Sequence, residues 1–260
     1  MKKPALHWIE EGQGPTVVLS HALGCDISMW DGVADLLKSR YTVLRYDHRG
    51  HGASEAVPGP YNMDMLADDA ASLISARAAG PVHFVGLSLG GMTAQALAAR
   101  YPQLLKSMVI ANAASWYDEA ARGLWQARVK TVLEQGVAAI ADGAMQRWFT
   151  PEFRADQLHG GAQRVAALRR QLERTDAAAY AASCEAVAGI DFRSSNLGIA
   201  CPALVIAGTR DEATPLAMSQ LMADAIPGAR LRTLEAAHLS AVEQPEGFAR
   251  LLTEFFESVE

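Results

Sequence analysis

The 260-residue sequence predicts an α/β fold, a mostly parallel sheet with helices on both faces and a block of helices inserted into it. Three observations predict it. Short apolar runs of strand length alternate with longer stretches of helical character. The alternation lapses over residues 113–190 and then resumes. A serine between glycines, Gly86-Leu87-Ser88-Leu89-Gly90, stands where one apolar run gives way to an Ala-rich stretch. The expected division is a core formed by residues 1–112 and 191–260, with 113–190 as a helical cap, a size that suits one domain with an insertion.

Leu6 to Glu10 reads as a short strand, ended by the turn Gly12-Gln13-Gly14-Pro15. Thr16-Val17-Val18-Leu19 is a continuous apolar run, as in a parallel strand buried on both faces. Trp30 to Leu37 takes helical spacing, and the β-branched and aromatic run from Tyr41 to Tyr46 makes another strand. Asn62 is a good N-cap for a helix carrying Leu66, Leu73 and Ile74. Val82-His83-Phe84-Val85 is the strand before Ser88, Met92 to Arg100 the helix after it, and Met108-Val109-Ile110 the next strand. From about Ala113 to Gly189 no strand pattern occurs, and Gly136, Gly143, Pro151 and Gly160-Gly161 divide an Ala-, Leu-, Arg- and Gln-rich segment into several helices. Strand and helix then return as Ala203 to Ile206, Leu216 to Ala225, Leu231 to Leu234 and Pro245 to Phe256. Ligands of open α/β sheets bind beyond the carboxyl ends of the strands, so a cap there would exclude water and shape the pocket.

The Ser88 motif is a nucleophile elbow. The turn is so tight that a Cβ on either flanking glycine would collide with the neighbouring strand or helix, and the strain lifts the hydroxyl clear of the sheet. A serine hydroxyl needs a base within hydrogen-bond reach, and the base needs an orienting acceptor. His238, in Glu235-Ala236-Ala237-His238-Leu239 after a strand, is the best base, and Asp211, after Gly208-Thr209-Arg210, is the best orienter, with Glu212 its rival. Oxyanion donors are expected at the Leu89 N–H and, from Ser20-His21-Ala22-Leu23-Gly24, at the Leu23 N–H. His7, His83 and His159 have no supporting context. Asp47, His48 and His51 read as a structural turn and not as a metal site, because H-x-x-H is a weak ligand spacing with no other cluster to complete it. No metal and no cofactor is expected.

The formal net charge of −6 argues against nucleic acid and against anionic membranes as partners, and an anionic substrate would need a local cation. No run approaches the length that spans a bilayer. No apolar stretch follows Met1-Lys2-Lys3-Pro4 before Glu10 and Glu11, so no signal peptide is expected. Cys25, Cys184 and Cys201 are odd in number and form no C-x-x-C, and they read as reduced thiols of a cytoplasmic protein, Cys25 as a small buried filler. In the helical block Arg122, Arg128, Lys130 and Arg147 are balanced by acids, so anion recognition would fall to one or two placed arginines. Trp116, Trp125 and Trp148 line a pocket or pack a core. The sequence leaves a homo-oligomer open.

Several segments together resemble the 3-oxoadipate enol-lactonases of the α/β-hydrolase superfamily over nearly the full length. They are Leu19 to Gly24 through Met29-Trp30-Asp31, Leu44 to Ser54, Gly86 to Met92, Arg147-Trp148-Phe149-Thr150-Pro151, Tyr180 to Cys184, Ala207 to Asp211 and Ala236 to Ser240. The elbow and the chain order Ser88, Asp211, His238 match the superfamily; the cap segments and Ala22, where many relatives carry glycine, narrow it. The resemblance implies the α/β-hydrolase fold and cofactor-free opening of an enol-lactone to 3-oxoadipate in bacterial breakdown of aromatic compounds. That substrate is a small lactone bearing a carboxylate. Arg128, three residues after Trp125, is the first candidate to hold the carboxylate, with Arg147 second and Trp125 and Trp148 beside them. Glu212 stands where relatives often carry a small residue or proline. Two competing readings are a carboxylesterase or lactonase of another small substrate, and a ligand-binding sensor on a hydrolase fold.

Overall fold

The computed structural model describes residues 3–259, so Met1 and Lys2 of the N-terminal reading lie outside the described residues. The first half of the chain contributes β1 (Trp8–Glu11), β2 (Thr16–Ser20), α1 (Asp31–Leu37), β3 (Thr42–Tyr46), α2 (Met63–Arg77), β4 (Val82–Leu87), α3 (Leu89–Arg100) and β5 (Leu105–Ala111). Next come α4 (Glu119–Gln135), α5 (Ala141–Trp148), α6 (Pro151–Ala155), α7 (Gly161–Arg174) and α8 (Ala177–Ala188). The rest is β6 (Ala203–Gly208), α9 (Leu216–Ala225), β7 (Arg230–Leu234), α10 (Ser240–Glu243) and α11 (Pro245–Glu257).

Among the described residues the seven strands form one sheet in the order β1-β3-β2-β4-β5-β6-β7. β1 pairs antiparallel with β3 and every other pairing is parallel. The apolar runs explain the middle of the sheet: every residue of β4 and β6 is buried, as a parallel strand covered on both faces requires. The edge strand β7 instead exposes Arg230 and Arg232, charges that discourage pairing with another sheet edge. α1 packs on α11 and α2 on α3. Asn62 caps α2, its side chain accepting from the Met65 N–H.

Several elements depart from the sequence reading: β5 runs from Leu105 and not from Met108, α10 has no counterpart in it, and two further shifts have a visible cause. The first strand starts at Trp8, because the preceding residues bond elsewhere: the Ala5 N–H donates to Glu55 and the His7 N–H to Ser54 Oγ. The helix after the elbow starts at Leu89, three residues before Met92, because Gly90 and Gly91 sit inside its first turn. Between β5 and β6 the chain is helical, α4 lying along α8 and α7 against α5 and α6. Val132, Trp148, Leu172 and Tyr180 of that segment join Val17 and Val85 of the sheet in one continuous apolar core. Among the described residues no helix is long and apolar enough to cross a membrane.

Candidate active site

Ser88 stands between β4 and α3 with φ 55° and ψ −112°, a backbone conformation that side chains rarely adopt. The two glycines make the turn sterically feasible. A Cβ on Gly86 would lie 2.0 Å from the Gly90 carbonyl oxygen, and one on Gly90 would lie 2.1 Å from the Ser20 carbonyl oxygen. The Ser88 N–H is tied to Ala111 O at 2.9 Å and the Gly90 N–H to His21 O at 3.1 Å, which fixes the turn against β5 and the β2 loop. Leu89 is the first residue of α3, so its N–H has no acceptor within the helix.

Asp211 and His238 arrive on the loops after β6 and β7, beyond the carboxyl ends of those strands. The structure brings the three together. His238 Nε2 is 3.0 Å from Ser88 Oγ, and His238 Nδ1 is 2.9 Å from Asp211 Oδ2. An Nδ1–H donated to the carboxylate leaves Nε2 free to accept the Ser88 hydroxyl proton. Asp211 is buried and held from all sides. Oδ2 also accepts from Thr214 Oγ1 at 2.6 Å and Asn112 Nδ2 at 3.0 Å, and Oδ1 from the N–H groups of Ala213 and Thr214 at 2.8 and 3.0 Å. Burial by itself raises the Asp211 pKa, but the charge and hydrogen bond of His238 and the bonds from Thr214 outweigh it and bring it to about 2. Glu212, the rival, is exposed and lines the cavity instead.

The β2 loop is braced by a buried histidine. His21 Nδ1 donates to Ala22 O at 2.7 Å while His21 Nε2 accepts the His48 N–H at 2.9 Å, so both nitrogens of a neutral ring are used and the Ala22–Leu23 turn is held beside Ser88. Burial lowers the His21 pKa, which keeps the ring neutral. His48 and His51 pack around it, and Asp47 accepts from the Ile27 and Ala53 N–H groups and contacts His7 Nδ1 at 2.9 Å, so this turn is committed to structure. His83 is buried against Ser107, and His159 lies exposed beside Asp156. Cys25 is buried, with its thiol pushed up by burial.

A cavity of about 390 Å³ opens over Ser88 and His238. Leu23 lines it from the loop after β2; Trp125 and Arg128 of α4, Arg147 and Trp148 of α5, and Tyr180 of α8 line it from the helical segment. The Arg128 guanidinium lies over the Trp125 ring, 4.6 Å from its centroid. Burial, and then the charge of Arg128, lowers the Arg147 pKa, so the two cations share one polar region. Among the described residues neither arginine pairs with a carboxylate, whereas Lys130 of the same helix faces Glu134. Two guanidinium groups without a carboxylate partner in the cavity beside Ser88 have the chemistry to hold an anion.

Several residues of the site are not among those the sequence reading singles out. Asn112 and Thr214 hold Asp211, and Tyr117 and Met218 line the cavity. Glu243 accepts from the Thr150 N–H and hydroxyl and from the Ala237 N–H, and the Leu239 N–H donates to Trp148 O at 3.0 Å. These bonds tie the His238 loop on both sides to the end of α5. Asn112 and Glu243 are single polar residues that meet Asp211 and Thr150 across 99 and 93 residues, while Thr214, three residues after Asp211, has a local clue in its spacing.

The α/β-hydrolase fold family model matches residues 15–245. 3-Oxoadipate enol-lactonase 2 of Acinetobacter baylyi is 39% identical, with 94% of this chain and 90% of the relative covered. Enol-lactonase 1 of the same organism is 33% identical over 95% of this chain and 90% of its own length. The crystal structure of the enol-lactonase from Burkholderia xenovorans superposes with a TM-score of 0.91 at 36% identity, covering 97% of this chain and 96% of that one. With its parallel sheet, its serine at a strand-to-helix turn and relatives matched along nearly the whole chain, the protein belongs to the α/β-hydrolase family, alongside the 3-oxoadipate enol-lactonases.

Proposed function

We propose that the protein opens 3-oxoadipate enol-lactone to 3-oxoadipate without a cofactor, with Ser88 as nucleophile, His238 as general base and acid, and Asp211 as the residue that orients and stabilises the imidazole. Ser88 Oγ attacks the lactone carbonyl as His238 takes its proton, a transfer supported by the 3.0 Å contact. The N–H groups of Leu23 and Leu89 stabilise the oxyanion. The ring carbon–oxygen bond breaks, the enol oxygen leaves with a proton from His238, and the tethered enol tautomerises to the ketone. Water activated by His238 then breaks the ester to Ser88. An enol oxygen is a better leaving group than an alkoxide, so no metal is required to assist it.

The observation that carries the reading is that Arg128 and Arg147 stand in the cavity over Ser88 without a carboxylate partner among the described residues. They suit the substrate carboxylate, with Trp125 and Trp148 as the apolar walls of the same pocket. The helices between β5 and β6 act as the cap, and residues 113–190 are its extent in this reading. The unpaired thiols Cys25, Cys184 and Cys201 favour a cytoplasmic location.

Steady-state hydrolysis of the enol-lactone beside a short p-nitrophenyl ester tests the proposal. The expected result is kcat/KM above about 10⁴ M⁻¹s⁻¹ on the lactone, much less on the ester, and loss of activity in Ser88→Ala. A preference for the neutral ester would assign the chain to the carboxylesterases and remove the substrate role of the arginines.

A further inference from the structure

We propose that this site also hydrolyses monoesters of short dicarboxylic acids whose alcohol is apolar, and that the alcohol is seated in an annex beside the Ser88 cavity. The proposal rests on the functional reading above, since it uses the same nucleophile and the same arginine pair. The annex is a mainly apolar cavity of about 120 Å³ that shares Tyr117, Ala121 and Met218 with the 390 Å³ cavity over Ser88 and extends to Trp116 and Leu221, with Ser115 and Asp118, the N-cap of α4, as its polar wall.

α4 sets the spacing between the two ends. Ala121, Trp125 and Arg128 fall at i, i+4 and i+7, on one face of the helix. The apolar annex and the cationic seat are therefore separated by about 10 Å along the helix axis. An enol-lactone whose carboxylate meets the arginines and whose carbonyl meets Ser88 has no further group to place in the annex. An adipate monoester does. Its acyl half has the same six carbons between and including carbonyl and carboxylate, so it spans Ser88 and the arginines in the same way, and its alcohol is left to go elsewhere. The annex is suited to receive it. The departing alcohol takes its proton from His238 Nε2, which faces Ser88, and α9 joins the two cavities, its Met218 lining both and its Leu221 lining the annex. Leu221 of the annex is 54% exposed, apolar surface that an apolar alcohol would cover.

The step balances within the site. The Ser88 Oγ–acyl bond forms as the bond from acyl carbon to alcohol oxygen breaks, and the Ser88 proton passes through His238 to the alcohol. Water then adds to the acyl carbon, the bond to Ser88 breaks, and the dicarboxylate leaves.

The test compares kcat/KM for monobenzyl adipate, monomethyl adipate and benzyl hexanoate, with the enol-lactone as reference, in wild type, Leu221→Glu and Leu221→Met. Benzyl and methyl alcohol are leaving groups of similar acidity, so their ratio reads the annex and not bond strength. Monobenzyl adipate is expected to exceed monomethyl adipate by about tenfold, the effect of burying part of one ring. It is expected to exceed benzyl hexanoate, which lacks the carboxylate, by at least about tenfold. Leu221→Glu brings the benzyl-to-methyl ratio near one without changing enol-lactone turnover, and Leu221→Met preserves the ratio. A wild-type ratio near one, or one that survives Leu221→Glu, overturns the annex and leaves the enol-lactonase reading standing. Equal rates for benzyl hexanoate and monobenzyl adipate overturn the substrate class. Slow turnover of enol-lactone beside fast turnover of the benzyl monoester would remove the enol-lactonase reading and keep the annex.

Discussion

Ser88 and Asp211 occupy unfavourable settings for opposite reasons, one of backbone and one of solvation. At Ser88 the φ of 55° crowds the Cβ against the chain, and glycine would relieve it. Ser88→Gly is therefore expected to unfold at higher denaturant than Ser88→Ala, by about 1 kcal/mol once the greater freedom of glycine in the unfolded chain is subtracted. Equal or lower stability of the glycine variant would show that the turn stores no strain. Asp211 is a buried carboxyl whose folded pKa of about 2 lies below the unfolded 3.8. Between those values the folded state binds fewer protons, so stability rises with pH there; the contribution is complete above the unfolded pKa and lost as pH falls through the folded one. Asp211→Asn lacks this dependence. The gap in unfolding free energy between wild type and Asp211→Asn should narrow by about 2 kcal/mol between pH 5 and pH 2. Activity at neutral pH should fall by about 10⁴ in kcat, as when a triad aspartate becomes an amide. A gap that does not change with pH would show that Asp211 is not held in this way.

At the scale of elements, the helix α4 presents its one polar seat on the face that also carries Ala121, Leu124 and Trp125. Its burial pattern shows why: of its residues only Val132 is fully buried, so the helix lies as a half-covered roof and not as part of the core. Arg128→Gln is expected to raise KM for the enol-lactone by about 10- to 100-fold, the size of a charge-assisted hydrogen bond, with kcat within a few-fold. Loss in kcat with KM unchanged would mean that Arg128 acts in the chemistry or on the cap and does not hold the substrate. The place of Arg128 in the cavity follows a local pattern, a cation one turn after a tryptophan on a helix. The central strands were legible for a similar reason: continuous apolar runs such as Thr16 to Leu19 and Ala203 to Ile206 admit few other structures. The four-residue α10 was not, being too short to show a period, and its Glu243 reaches Thr150 across 93 residues. Asn112 meets Asp211 across 99 residues, a relation set by the parallel pairing of β5 with β6 and invisible in either segment alone.

For the whole molecule, the formal charge of −6 opposes the approach of an anion, while in the proposed reading Arg128 and Arg147, which line the cavity, attract it at contact. The two effects act over different distances. At about 0.01 M ionic strength the screening length is about 30 Å, and the substrate feels the summed charge of the chain; at about 0.15 M it is about 8 Å, and the distant acids are screened. The arginine pair is half-buried and works at contact, so salt weakens it less. Adding salt should therefore remove more repulsion than attraction. kcat/KM for the enol-lactone is expected to rise by about twofold between these ionic strengths, with no change for a neutral ester measured in parallel. The double variant Arg128→Gln with Arg147→Gln keeps the repulsion, now larger by two charges, and should show a steeper rise. A fall with salt in the wild type would mean that the local field of the arginines reaches beyond the cavity and outweighs the rest of the chain. The pair would then steer the substrate in as well as hold it.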